Sequence, residues 1–203
     1  VSIPIVDEVF NKYPTAIYEL NGHSKGGNLA MYASIYARDE IKEKIYRIYN
    51  FDGPGFEVDD IDVVLYSGMK NKIKTILPCN SVIGMIFNQL GTVKAVKSTF
   101  KTIFQHDGFT WEIDGNKFVK STLSKNSLGF SKDLNELVAE MDEEARLAFC
   151  KSVEKYIDSL GIKTLSELST LKTKPISSLK VFTKNDRTVF LKFVKILIKN
   201  KII

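Results

Sequence analysis

Two histidines, His23 and His106, are all the imidazole in this 203-residue chain, and Cys79 and Cys150 are all its thiol. Cysteines so few and so far apart make neither a disulfide framework nor a metal-ligand spacing. The two histidines and two cysteines sharply limit the metal and acid–base options, and the free thiols point to a reducing compartment, the cytoplasm. Arginine is nearly missing as well. It occurs at Arg38, Arg47, Arg146 and Arg187, so the formal net charge of +5 rests on lysine. Base-edge and phosphate-fork recognition leans on arginine, and no nucleic-acid motif is present, so nucleic acid is not an expected partner. No apolar run approaches the ~20 residues of a membrane span.

What the chain does have is an ordinary globular balance, 44% hydrophobic and 26% charged, long enough to bury a substantial core. Ser2 to Tyr13 carries Ile5, Val6, Val9, Phe10 and Tyr13 at helical spacing and stops before Pro14. Strands are expected over 16–21, 45–51, 72–77 and 93–98. Helices are expected over 26–38, from Asp59 to Met69 and from Ser81 to Asn88, and a hairpin around Asp114-Gly115-Asn116. From Ser131 the period becomes purely helical as far as Gly161. A polar hinge over 172–178 then leads to a lysine-rich amphipathic helix over 187–199. Strands alternating with helices predict an α/β core over 1–130, with a mostly parallel sheet and helices on both faces. A helical C-terminal region, 131–203, is expected to pack on it.

One segment carries chemistry. Gly22-His23-Ser24-Lys25-Gly26-Gly27 lies between an apolar strand and the apolar run Leu29-Ala30-Met31. A serine on so sharp a strand-to-helix turn needs small neighbours two residues to either side, which Gly22 and Gly26 supply. Gly27 lets the helix approach the sheet. The Ser24 hydroxyl would then stand at a helix N-terminus, where free N–H groups favour a developing anion. In a parallel sheet, reactive residues gather at the carboxyl ends of strands. Ser24, Asp52, Asn80 and His106 each follow an expected strand.

These residues resemble the lipase-like branch of the α/β-hydrolase superfamily. Gly22-His23-Ser24-Lys25-Gly26-Gly27 is similar to the lipase elbow. Asn50-Phe51-Asp52-Gly53-Pro54-Gly55 is similar to the strand-end run that carries the triad acid in pancreatic-type lipases. Gln105-His106-Asp107-Gly108-Phe109-Thr110-Trp111 resembles the histidine loop of fungal-type lipases. The combination resembles an uncharacterised bacterial lipase-like family, over about 13–112. The resemblance implies a triad in the order Ser24, Asp52, His106, with the Lys25 N–H as an oxyanion donor.

Fungal-type lipases carry their acid after the next strand, where this chain reads Asn80-Ser81-Val82; asparagine lacks the charge that holds an imidazolium. Asp52 is favoured, although Asp-Gly-Pro-Gly makes a turn regardless. Asp107 adjoins His106 and is the poorer acid. His23 precedes the nucleophile, where the elbow would turn its side chain away from that of Ser24, leaving His106 as the base. Trp111 reads as a core or lip residue.

The implied function is hydrolysis of carboxylic esters, lipid or short-acyl, through an acyl-enzyme, which calls for no metal and no organic cofactor. The family pattern has strands before the elbow, and a loop among them gives a second oxyanion donor. Only about 20 residues precede the elbow here. The N-terminal strands are thus expected from an upstream part of the same protein or a second copy, with the strand ending at Asn21 at an open edge. The alternative is a catalytically silent lipase-like binding or scaffold domain. The last helix offers a membrane-surface reading, with Lys192, Lys195 and Lys199 beside Phe190, Phe193 and Leu197. Packing on the domain with snorkelling lysines is the stronger expectation.

Overall fold

The computed structural model describes residues 2–159 and 184–202. The expected stop at Gly161 and hinge over 172–178 lie outside the described residues. Two compact units divide the chain, 1–131 and 132–203.

The first unit opens with α1 (Ser2–Lys12), β1 (Tyr18–His23), α2 (Lys25–Tyr36), α3 (Asp39–Lys44) and β2 (Ile45–Phe51). After α4 (Val63–Met69) come β3 (Ile73–Pro78), β4 (Thr92–Val96), β5 (Ile113–Asp114), β6 (Lys117–Phe118) and β7 (Lys120–Ser121). The main sheet has the order β1-β2-β3-β4-β7, parallel through β4, with β7 antiparallel on the far edge; β5 and β6 form the expected hairpin. Among the described residues β1 pairs with β2 alone. That is the open edge expected of this strand, which runs on to His23 rather than stopping at Asn21.

Residues alternate between the two faces of a strand. Ile48 of β2 and Ile73 of β3 pack with Met31 and Ile35 of α2, Ile41 of α3 and Met69 of α4, joined by Ile45 where β2 begins, and Val6 and Phe10 of α1 lie against them. The opposite face carries Tyr49, Phe51, Ile76 and Val96 around Trp111. Phe118 of the hairpin meets Trp111 edge-on, with ring centroids 5.6 Å apart.

Two expected helices differ. The one expected from Asp59 starts at Val63, because the Asp62 carboxylate accepts from the Val64 and Leu65 N–H groups and caps it there. Ser81 to Asn88 forms only the 3-10 turn Ile83–Met85. Its backbone is engaged across the fold instead. Gly55 N–H donates to the Ile86 carbonyl, and Phe56 and Asn88 exchange both their backbone hydrogen bonds.

The second unit holds most of α5 (Lys125–Ala139), α6 (Glu143–Ser159) and α7 (Lys184–Lys199). Phe193 of α7 meets Phe149 of α6 edge-on and Phe190 is buried. Lys192 pairs with Glu140 and Lys199 with Asp133. Residues of the apolar face that a membrane would take are thus in contact inside the unit. Among the described residues, no helix is long and apolar enough to cross a membrane.

Candidate active site

β1 ends at His23 and α2 begins at Lys25, so Ser24 alone makes the turn. Its φ of 57° and ψ of −131° lie where a residue with a side chain is strained by ~1–3 kcal/mol. Capping does not account for the strain, since the Ser24 side chain makes no cap hydrogen bond to α2. Its N–H donates to the Phe51 carbonyl at 2.9 Å, fastening the elbow to the end of β2.

The glycines divide. A Cβ on Gly22 would stand 2.3 Å from the Gly26 backbone, and one on Gly27 only 2.0 Å from Asn50 Oδ1. Gly26, expected to be needed for the same reason, has nothing within 4 Å of its Cβ position. The close crossing is made at Gly22 and Gly27.

Asp52 follows β2 at the same end of the parallel sheet, with φ of 49°, a region aspartate tolerates better than most residues. Its N–H donates to the Ile76 carbonyl and its side chain is wholly buried. Oδ2 accepts from His106 Nδ1 at 2.8 Å. Oδ1 accepts from the Ser81 hydroxyl and, at 3.1 Å, from the Gly84 N–H. Burial pushes the Asp52 carboxyl above its ordinary value of 3.8. The hydrogen bonds from His106, Ser81 and Gly84 and the charge on His106 oppose that rise. A carboxylate at Nδ1 makes that nitrogen the donor, which leaves Nε2 of the neutral ring as the acceptor.

His106 closes a 3-10 turn, Thr102–His106, after β4 and is buried. Its neighbour Gln105 anchors it. Gln105 Oε1 accepts from the Asn80 N–H at 2.8 Å, and its Nε2 donates to the Phe100 carbonyl at 2.6 Å. Trp111 Nε1 donates to the Gln105 carbonyl at 2.7 Å, so Trp111 is a buried core residue that also steadies the histidine loop. Asp107 accepts from the Phe109 N–H and shapes the following turn. The Asn80 side chain points to Cys79 Sγ, 3.8 Å away.

His23 holds a place that the sequence did not reveal. Its ring packs on that of His106, and its Nε2 donates to the His106 carbonyl. Sequence reasoning also passed over Ser81 and Gly84, although the signal that found Asp52, a polar residue just past a strand end, applies to Ser81. Buried Asn28 of α2 was missed too. It donates to the Pro54 and Gly55 carbonyls and accepts from Lys25 Nζ at 2.9 Å, tying the helix to the Asp52 loop. An open cavity of about 490 Å³ lies here, lined by Lys25, Asn28 and Tyr32 and by Phe56 and Phe87.

Fold and site define a class: an α/β protein with a mostly parallel sheet, a serine on a strained strand-to-helix turn and a buried Asp–His pair. The family model described as Mbeg1-like matches residues 2–154, which include every residue of this site. The chain belongs to the Mbeg1-like family. No curated protein and no solved structure matches it.

Proposed function

We propose that the chain is a serine hydrolase of the lipase/esterase type, on an α/β-hydrolase-like sheet, cleaving carboxylic esters with Ser24 as nucleophile. The observation that carries the reading is the buried hydrogen bond from His106 Nδ1 to Asp52 Oδ2. It leaves Nε2 to accept a proton, at the sheet end where the strained elbow presents Ser24. As Ser24 Oγ bonds to the ester carbonyl carbon, its proton passes to His106 Nε2, and the negative charge moves to the carbonyl oxygen. Asp52 stabilises the imidazolium formed. The Lys25 N–H, in the first turn of α2 where N–H groups lack intrahelical acceptors, donates to the oxyanion. His106 then protonates the departing alcohol as its C–O bond breaks. Water repeats the sequence on the acyl-enzyme, releasing the acid and restoring Ser24. The aromatic side chains lining the cavity at Lys25 suit an apolar part of an ester or lipid-like substrate.

Treating the intact protein with a fluorophosphonate tests this. One adduct, mapped to Ser24 and lost in Ser24→Ala, is expected. No adduct, or one elsewhere, would leave the silent binding domain as the better reading.

A further inference from the structure

We propose that Ser81 is a positioning residue, whose hydroxyl holds Asp52 in its ionised, His106-facing state. The proposal rests on the reading of Asp52 and His106 as the catalytic pair. A buried carboxylate has two oxygens to satisfy, and leaving one bare is costly. Oδ2 is satisfied by His106; Oδ1 depends on Ser81 and Gly84. Ser81 is itself 1% exposed, so water does not readily replace its hydroxyl.

The turn after β3 is shaped for this purpose. A Cβ on Gly84 would stand 2.4 Å from Asp52 Oδ1 and 2.9 Å from Ser81 Oγ, so only a bare backbone lets both donors converge there. One residue before Ser81, the Asn80 N–H holds Gln105, the neighbour of His106. A single turn thereby braces both members of the pair. This is also why residues 81–88 do not form a helix: their polar groups face Asp52 and the loop over 53–56.

Removing the hydroxyl has one sign. Oδ1 keeps only the Gly84 N–H, so Asp52 holds a proton more tightly. The His106 ring, bonded to Oδ2, reports that change, and the acid limb of kcat/KM moves to higher pH. Among the described residues, the titratable group facing the pair is His23, stacked on His106; Cys79 lies one residue further off, its thiol meeting Gln105 Oε1, and Ser81 and Gly84 are neutral.

Ser81→Ala is measured against the native protein and Ser81→Cys, which keeps the shape with a weaker donor. Ester hydrolysis is followed across pH, and the His106 ring is titrated by ¹⁵N NMR. Loss of a hydrogen bond to a charged group corresponds to an acid limb about one pH unit higher. A smaller shift is expected in Ser81→Cys, with KM nearly constant in both. An unmoved limb and an unmoved His106 titration in folded Ser81→Ala overturn the proposal. So does Ser81→Cys behaving as the alanine variant does. If the native protein neither hydrolyses esters nor takes a phosphonate on Ser24, the hydrolase reading fails. The NMR comparison then still decides whether Ser81 controls the Asp52–His106 pair.

Discussion

The His23 ring lies 4.5 Å from that of His106, centroid to centroid, and its Nε2 donates to the His106 backbone carbonyl at 2.7 Å. The residue before the elbow thus steadies the residue that would deprotonate Ser24. A strand-end side chain and a loop 83 residues away are joined by one polar contact and one ring contact.

His23→Phe keeps a ring there and removes the donor. A neutral hydrogen bond contributes about 1 kcal/mol, so turnover and phosphonate labelling of Ser24 should slow about fivefold while the fold persists. His23→Gln, which can donate, should recover much of the loss. Unchanged labelling in the phenylalanine variant would remove His23 from any part in placing the base.

Asp52→Asn should cost far more. The asparagine Nδ2 donates, so His106 Nδ1 must accept and the ring proton moves to Nε2, where it can no longer take the Ser24 proton. A loss of about 10⁴-fold in kcat is expected. Stability moves the other way. Burial holds the Asp52 carboxyl above its ordinary 3.8, so the folded state binds that proton more tightly than the unfolded state does. Native stability from this group therefore falls as pH rises from about 4 through the folded-state titration. At neutral pH the neutral asparagine should melt no lower than the native protein, and the difference should vanish in acid. Thermal melts at pH 4 and pH 7.5 beside kcat would show it; marked destabilisation at neutral pH would contradict the charge argument.

Asn80→Ala should stay within a few-fold of native turnover, because the contact to Gln105 uses the Asn80 backbone N–H and, among the described residues, its side chain reaches Cys79 Sγ alone. If it fell with Asp52→Asn, the acid would have been assigned to the wrong strand end.

How much of this the sequence displays depends on the range of the forces involved. β2 occupies its expected residues, Ile45–Phe51, because apolar side chains and a following Asp-Gly-Pro-Gly turn are local signals. Ser24, Asp52 and His106 stand out because each follows a strand. The segment over 81–88 misleads for the opposite reason. Val82, Ile83, Met85 and Ile86 supply apolar content that a helix or a buried loop could use equally. What decides is distant: Asp52 takes the Ser81 hydroxyl and Gly84 N–H, and Gly55 takes the Ile86 carbonyl. Phe87 accepts a φ of 61° as part of that arrangement. The antiparallel β7, two residues long, is too short to show any period.

The elbow makes a last prediction through two adjacent glycines. A methyl on Gly27 would fall 2.0 Å from Asn50 Oδ1 and 2.8 Å from the Gly22 carbonyl. Asn50 cannot swing aside cheaply. Wholly buried, it accepts the Gly53 N–H at 2.9 Å and donates to the Gly53 carbonyl and to Gln89 Oε1. Gly27→Ala must therefore push α2 off the sheet or break the turn that carries Asp52, a cost of about 2–4 kcal/mol from overpacking and lost buried hydrogen bonds. Gly26→Ala meets nothing within 4 Å and adds a better helix former to the first turn of α2. It should be neutral or stabilising by up to about 1 kcal/mol. Thermal unfolding of the two variants should thus separate widely, although both change a glycine of the same motif. Equal losses would mean that α2 meets the sheet at Gly26 after all, and the assigned packing of the elbow would have to be abandoned.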